Sequence, residues 1–359
     1  MGMNSKDMPA AFTPSCPIYR HSITRRFAPI PGFAMSANSS LATPAAPPLA
    51  PQAAIPAEPS RLFGAAAALA TVLLWAAGLV ATRFGVTGAL SLWDVVFLRL
   101  ALPALLLVPV LWRLRLPPAM QTLPAERRIL LLVILAAGAG LPFMLVSSSG
   151  MIFAPAAHAG ALMPGSMPLF AALLAVLLLG ERFNLQRRLG TGLMLLGAVA
   201  VGGWQVIDGT GQAWRGDLMF VCAGAMWACY TIAMKKSGLG AWQAAAVVYV
   251  ASFVLYAPVY LLWLDSHLAQ APLFDIAVQL VQSVASGLLS MAAYGFAVRR
   301  LGAAPAAAFA ALTPALTALL AVPLLGEWPE PVTWAGILAV SLGVALANGA
   351  FSRYAPPNR

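Results

Sequence analysis

Charge is what this sequence has least of. Asp, Glu, Lys and Arg make up 9% of its 359 residues, against about 25% in soluble domains. By contrast 61% are hydrophobic and the mean hydropathy is +0.84. That balance excludes an ordinary water-soluble globular domain. Cysteine is scarce as well: Cys16, Cys222 and Cys229 have no C-x-x-C spacing, so neither a disulfide framework nor a zinc site is expected. The three histidines, His21, His158 and His267, are far apart. No H-E-x-x-H, G-x-S-x-G or G-x-x-x-x-G-K-[ST] occurs, which argues against metal, nucleophile-elbow and ATP-driven chemistry. No cofactor is expected.

What remains is organised by apolar runs. Residues 1–60 are rich in Pro, Ala and Ser and hold no lasting apolar period, so they read as a disordered tail. Arg25 and Arg26 superficially resemble an export signal, but prolines interrupt the apolar stretch behind them. Met1 and Met35 are both candidate starts. From Leu62 onward ten apolar runs follow, at about 62–82, 93–112, 129–146, 152–179, 189–206, 218–234, 241–264, 276–298, 304–325 and 332–351. Each approaches the ~20 residues a helix needs to cross ~30 Å of hydrocarbon, and none alternates in the manner of barrel strands. The expected fold is all-α, a polytopic membrane protein with ten transmembrane helices.

The net charge is +10, yet the bases are dispersed over short connections rather than gathered into a patch, which excludes nucleic acid as a partner. With both termini cytoplasmic, eighteen of the 21 Lys and Arg lie inside, as the positive-inside rule requires. Arg83 and Arg215 lie outside, and Arg99 lies within the second run. Asp208, Asp217, Asp265, Asp275, Glu327 and Glu330 are assigned to outer connections. Arg outnumbers Lys by 18 to 3 and Ala is abundant, the coding bias of a GC-rich bacterial genome, so the expected location is a bacterial inner membrane.

A shift of 146 residues lays 172–181, ALLAVLLLGE, on 318–327, ALLAVPLLGE, and also pairs Pro168 with Pro314, Gly190 with Gly336 and Gly197 with Gly343. A slightly different shift aligns Trp75-Ala76 with Trp227-Ala228 and Arg83 with Lys235. These correspondences indicate a duplication, with a first repeat over 61–207, a second over 208–352 and a short cytoplasmic tail at 353–359. Five spans per copy is an odd number, so the second copy enters from the opposite side and the repeats are inverted, the arrangement that supports alternating access.

Ten spans in two copies, with Trp75, Arg99, Pro168, Gly180-Glu181, Gly216-Asp217, Trp227-Ala228, Pro314 and Gly326-Glu327 in this order, resemble the EamA family of the drug/metabolite transporter superfamily over residues 62–351. The resemblance implies a small-molecule permease of the inner membrane, often an exporter of amino acids, metabolites or toxic compounds, with a central cavity between its halves. A lipid-handling flippase and an intramembrane enzyme are the competing readings.

Candidate substrate-binding residues follow from polarity inside apolar runs. Arg99 is a charge deep in a span, costing ~2.5–3.5 kcal/mol on insertion scales unless paired or hydrated; it either bonds helix carbonyls or meets an anionic substrate group. Asp94 lies on another face of the same helix and is not its partner. His158 precedes Pro164 and Pro168, which free carbonyls and bend helices, and it either carries a proton or substrate, or bridges helices as a neutral ring. Trp75, Trp227 and Tyr230 offer aromatic faces for packing or for cationic ligands. Gln279, Gln282, Ser286, Ser290 and Tyr294 form a polar stripe at helical spacing, read as water-lined or substrate-facing. Pro168, Glu181, Pro314 and Glu327 are candidate bends and gates. Expected partners are a small-molecule substrate, the lipid bilayer and a second copy of the chain.

Overall fold

The computed structural model describes residues 58–179, 185–208 and 211–348. Most of the expected tail over 1–60, Glu181 and the C-terminal tail therefore lie outside the described residues, which are all helix, turn or link with no strand among them. In chain order the helices are α1 (Glu58–Thr87), α2 (Leu92–Trp112), the short α3 (Pro118–Gln121), α4 (Ala125–Ala139), α5 (Leu141–Phe153), α6 (Ala156–Leu179), α7 (Leu185–Asp208), α8 (Ala213–Ser237), α9 (Ala241–Trp263) and α10 (Leu273–Val284). A π turn (Ala285–Leu289) joins α10 to α11 (Ser290–Leu301). Then come α12 (Ala303–Ala308), a 3-10 turn (Phe309–Leu312), α13 (Thr313–Leu325) and α14 (Pro331–Ala347).

Among the described residues seven helical segments are long and apolar enough to cross a membrane: Arg61–Thr87, Leu92–Trp112, Ala125–Phe153, Ala213–Ser237, Ala241–Trp263, Leu273–Leu301 and Pro305–Leu325. Pro331–Ala347 is a shorter apolar helix. Leucines such as Leu105, Leu196 and Leu261 point outward, whereas small residues such as Ala76, Ala104, Ala159 and Ala318 are buried, so the backbones approach closely inside the bundle.

Two departures from the sequence expectation alter the polar inventory. The third apolar run ends at 146 in the sequence, yet α5 continues to Phe153 with Ser147 and Ser148 buried inside it. Asp217 was assigned to an outer connection because the apolar count starts at Leu218. Instead α8 begins at Ala213, which puts Asp217 in its second turn, buried.

Both third runs are interrupted internally. In the first copy Gly140 separates α4 from α5, and Pro142 removes a donor from the first turn that follows. In the second copy the α-helix widens to a π turn at Ala285–Leu289. There Ser286 Oγ donates to the Gln282 carbonyl and Ser290 Oγ to the Ser286 carbonyl, competing with backbone donors for the same acceptors. The 146-residue shift carries Gly140 onto Ser286, so the two interruptions occupy equivalent places.

Packing is reciprocal between the copies. Helix α1 lies against α10, α11 and α13, and its counterpart α8 lies against α4, α5 and α6. Helix α7 packs against its own counterpart α14. At that crossing a Cβ on Gly190 would lie 2.8 Å from the Gly343 carbonyl oxygen, and a Cβ on Gly197 would lie 2.7 Å from the Gly336 carbonyl oxygen. Position rises along α7 as it falls along α14, so the two run antiparallel, and each glycine meets the partner of the other.

Candidate functional site

Arg99 lies within α2, half-buried. Its Nη1 donates to Ser148 Oγ of α5 at 3.3 Å. No carboxylate among the described residues lies within ion-pair distance of it. Phe143, Trp227 and Tyr249, from both copies, belong to one packed cluster with Val96 and Leu100 of α2. Trp227 packs on Phe143 at 5.3 Å and on Tyr230 at 5.2 Å. Helix α9 touches both interruptions: Ser252 Oγ accepts from the Leu141 N–H freed at the Gly140 break (3.0 Å), while the Tyr249 hydroxyl sits against Gly287 in the π turn. Trp227 and Tyr230 are thus brought together with Phe143, while Arg99 meets Ser148.

Trp75 and the polar stripe form a separate group. Trp75 Nε1 donates to Ser290 Oγ at 3.1 Å and its ring tilts against Tyr294 at 5.9 Å. Gln279 Nε2 donates to the Ala81 carbonyl, Gln282 Nε2 to Gln279 Oε1, and Ser286 Oγ to Gln282 Oε1. The stripe therefore faces α1 through hydrogen bonds, with Gln282 and Ser286 also reaching an apolar groove of about 390 Å³ beside Leu74, Ala77 and Val281.

A third group closes one end of the bundle. Gly326 ends α13 in the left-handed region (φ 69°), a conformation favouring glycine, and the chain reverses so that Glu327 faces inward. Glu327 Oε1 accepts from Arg83 Nε at 2.6 Å and Oε2 from the Ala156 N–H at 2.8 Å. Arg83 Nη1 also donates to the Met151 carbonyl. One ion pair thereby ties α1, the α5–α6 link and the end of α13. Behind it His158 Nδ1 lies 2.8 Å from Asp217 Oδ1. A cavity of about 270 Å³ is lined by Arg83, Pro155, His158, Glu327 and Glu330. Nearby, Asp94 is enclosed by donors from Ser91, Tyr260, Ser266 and the His267 N–H, which caps α2 and joins it to the α9–α10 link.

The prolines behave differently in the two copies. Pro164 and Pro168 lie within an α6 that runs through them, whereas Pro314 begins α13 directly after the 3-10 turn. Glu181 lies outside the described residues. Nothing in the sequence marks the His158–Asp217 contact, the Arg83–Glu327 pair, or Tyr249, Ser148 and Phe143.

The profile of the EamA-like transporter family matches the chain twice, over residues 62–203 and 214–349. The chain belongs to this family. It is an EamA-type membrane transporter of the drug/metabolite transporter superfamily, built from two repeats. No curated protein matches the sequence. Among solved structures, the crystal structure of a protein 18% identical aligns with a TM-score of 0.54, over 82% of this chain and 99% of the other, a likeness of fold. The EamA repeats contain both interrupted third runs, Arg99 and the Arg83–Glu327 pair.

Proposed function

We propose that this EamA protein is a secondary-active or facilitative permease that exports small metabolites, amino acids or related organic compounds, across a bacterial inner membrane. It works by alternating access between two inverted five-helix repeats, 61–207 and 208–352, with ten spans and both termini cytoplasmic. The observation that carries this reading is Arg99, un-neutralised by any described carboxylate and bonded to α5, in a chain whose two copies carry helix interruptions at equivalent places. Interrupted spans at corresponding places in two halves mark transporter binding sites, and π turns recur at functional positions. Arg99 with Ser148 presents donors to a carboxylate, while Trp227, Tyr230 and Phe143 present faces to an apolar or cationic part of the same molecule. Trp75, Gln282, Ser286 and Tyr294 extend the surface along α1. Pro168 and Pro314 permit bending, and Glu327 closes one end. Glu181 is its aligned counterpart at the other.

Counterflow in proteoliposomes with a panel of amino acids, nucleosides, amines and lipids tests this. Accumulation of a labelled solute without nucleotide, abolished by Arg99→Ala at normal membrane abundance, is the expected result. Lipid movement alone would indicate a flippase, and conversion of the solute an enzyme. Side-specific labelling of cysteines substituted at 181 and 327 should reach opposite compartments; a shared compartment would overturn the inversion.

A further inference from the structure

We infer that His158 and Asp217 form a proton-binding site that drives transport by exchanging one proton with the compartment facing Glu327. This rests on the transport reading above and adds the coupling ion to it. The two side chains are 3% and 9% exposed. Asp217 Oδ1 takes the His158 contact, whereas Oδ2 is buried with no hydrogen-bond partner among the described residues and faces Gly202 of α7. A carboxylate half-satisfied in this way is costly to bury as an anion unless a proton is shared with its imidazole neighbour. His158 is also part of the wall of the 270 Å³ cavity at the Glu327 end, so the imidazole stands between that cavity and the carboxylate.

The charged surroundings leave the pair to set its own balance. From α1 comes Arg83, neutralised by Glu327 of the α13–α14 link; Glu330 lies at the cavity and Thr333 of α14 is neutral. On α8, Arg215 is exposed and bonds Gln212. From α7, Gly202 is uncharged, and the side chain of its terminal Asp208 lies outside the described residues. With the proton present, imidazolium and carboxylate cancel. When the proton leaves to the cavity, a net negative charge with an unpartnered oxygen remains inside the bundle, a state relieved by admitting water.

Coupling runs through the first turn of α6. Ala156 donates its N–H to Glu327, and two residues later His158 holds Asp217 on α8. Loss of the proton leaves that hydrogen bond without its charge attraction, which loosens the turn that also supports the Arg83–Glu327 closure. The proton-loaded form favours a closed Glu327 end and the unloaded form an open one.

The test uses the full chain in proteoliposomes, with Cys16, Cys222 and Cys229 replaced by serine and spin labels at Thr87→Cys and Val332→Cys, both exposed positions. Between about pH 5 and about pH 9 the ratio of long to short distances should rise about tenfold or more. Asp217→Asn should abolish that rise, with His158→Gln as the second variant should the first fail to fold. In counterflow-competent vesicles Asp217→Asn should lose accumulation driven by a pH gradient by a larger factor than it loses counterflow. A distance ratio indifferent to pH in the unmutated pair, or gradient-driven accumulation surviving in both variants, overturns the proposal. Absence of counterflow for every solute would instead overturn the transport reading, and the distance measurement still decides the proton site.

Discussion

Substituting Gly197 by alanine tests whether α7 and α14 meet backbone to backbone. The new Cβ would stand 2.7 Å from the Gly336 carbonyl oxygen and 2.8 Å from both the nitrogen and Cγ2 of Val340. Ordinary contact begins near 3.4 Å, so the helices must part by about 0.7 Å. Overpacking costs ~1–3 kcal/mol. Two of the three obstructing atoms are backbone and cannot turn aside, which favours the upper half of that range. Alanine regains ~1 kcal/mol of helix propensity over glycine, leaving a net destabilisation of ~1–2 kcal/mol, or roughly 5- to 30-fold in the unfolding equilibrium. Gly192 lies on the same helix with nothing within 4 Å of its Cβ position, so Gly192→Ala should gain up to ~1 kcal/mol. The assay is thermal unfolding of the purified protein in one detergent, followed by the fraction remaining soluble. Adding Gly343→Ala to Gly197→Ala should cost less than the two separately, because one separation serves both crossings. If Gly197→Ala melts at or above Gly192→Ala, the close antiparallel crossing is wrong.

Other outcomes are equally checkable. Glu327→Gln removes the charge paired with Arg83 and should shift the bundle toward opening at that end by ~1–2 kcal/mol, read as a larger share of long distances between spin labels at Thr87→Cys and Val332→Cys. Tyr260→Phe deletes one donor to Asp94 while the Ser91, Ser266 and His267 donors remain, so a stability loss of ~1–2 kcal/mol is expected, visible as a lower unfolding temperature with counterflow rate preserved. Arg99→Lys keeps the charge but not the planar fork, and should weaken binding of the transported solute by at least about tenfold in competition assays, whereas unchanged affinity would make Arg99 a packing residue.

The all-helical class was legible because spanning length is written locally in apolar runs, and the duplication because ALLAVLLLGE and ALLAVPLLGE are nearly the same string. The Gly140 break had a visible cue in the surrounding glycines and Pro142. The π turn had none, since serine back-bonding depends on which face of the helix is covered. Long-range pairs were invisible for a different reason: Arg83 meets Glu327 across 244 residues and His158 meets Asp217 across 59. No local pattern marks such partners. Asp217 was misassigned because hydropathy locates the apolar part of a helix and not its first turns, so a carboxylate inside the helix start read as loop. The polar stripe showed the opposite difficulty: its periodicity was plain in the sequence, but the neighbour it faces was not.

Helix α9 reaches the two interrupted spans from positions a single turn apart, Tyr249 toward Gly287 and Ser252 toward Leu141. Flexing at either interruption therefore disturbs contacts made by one stiff rod. The bends behave as linked joints rather than as independent hinges, and a solute reaching Tyr249 would press on that linkage from its centre.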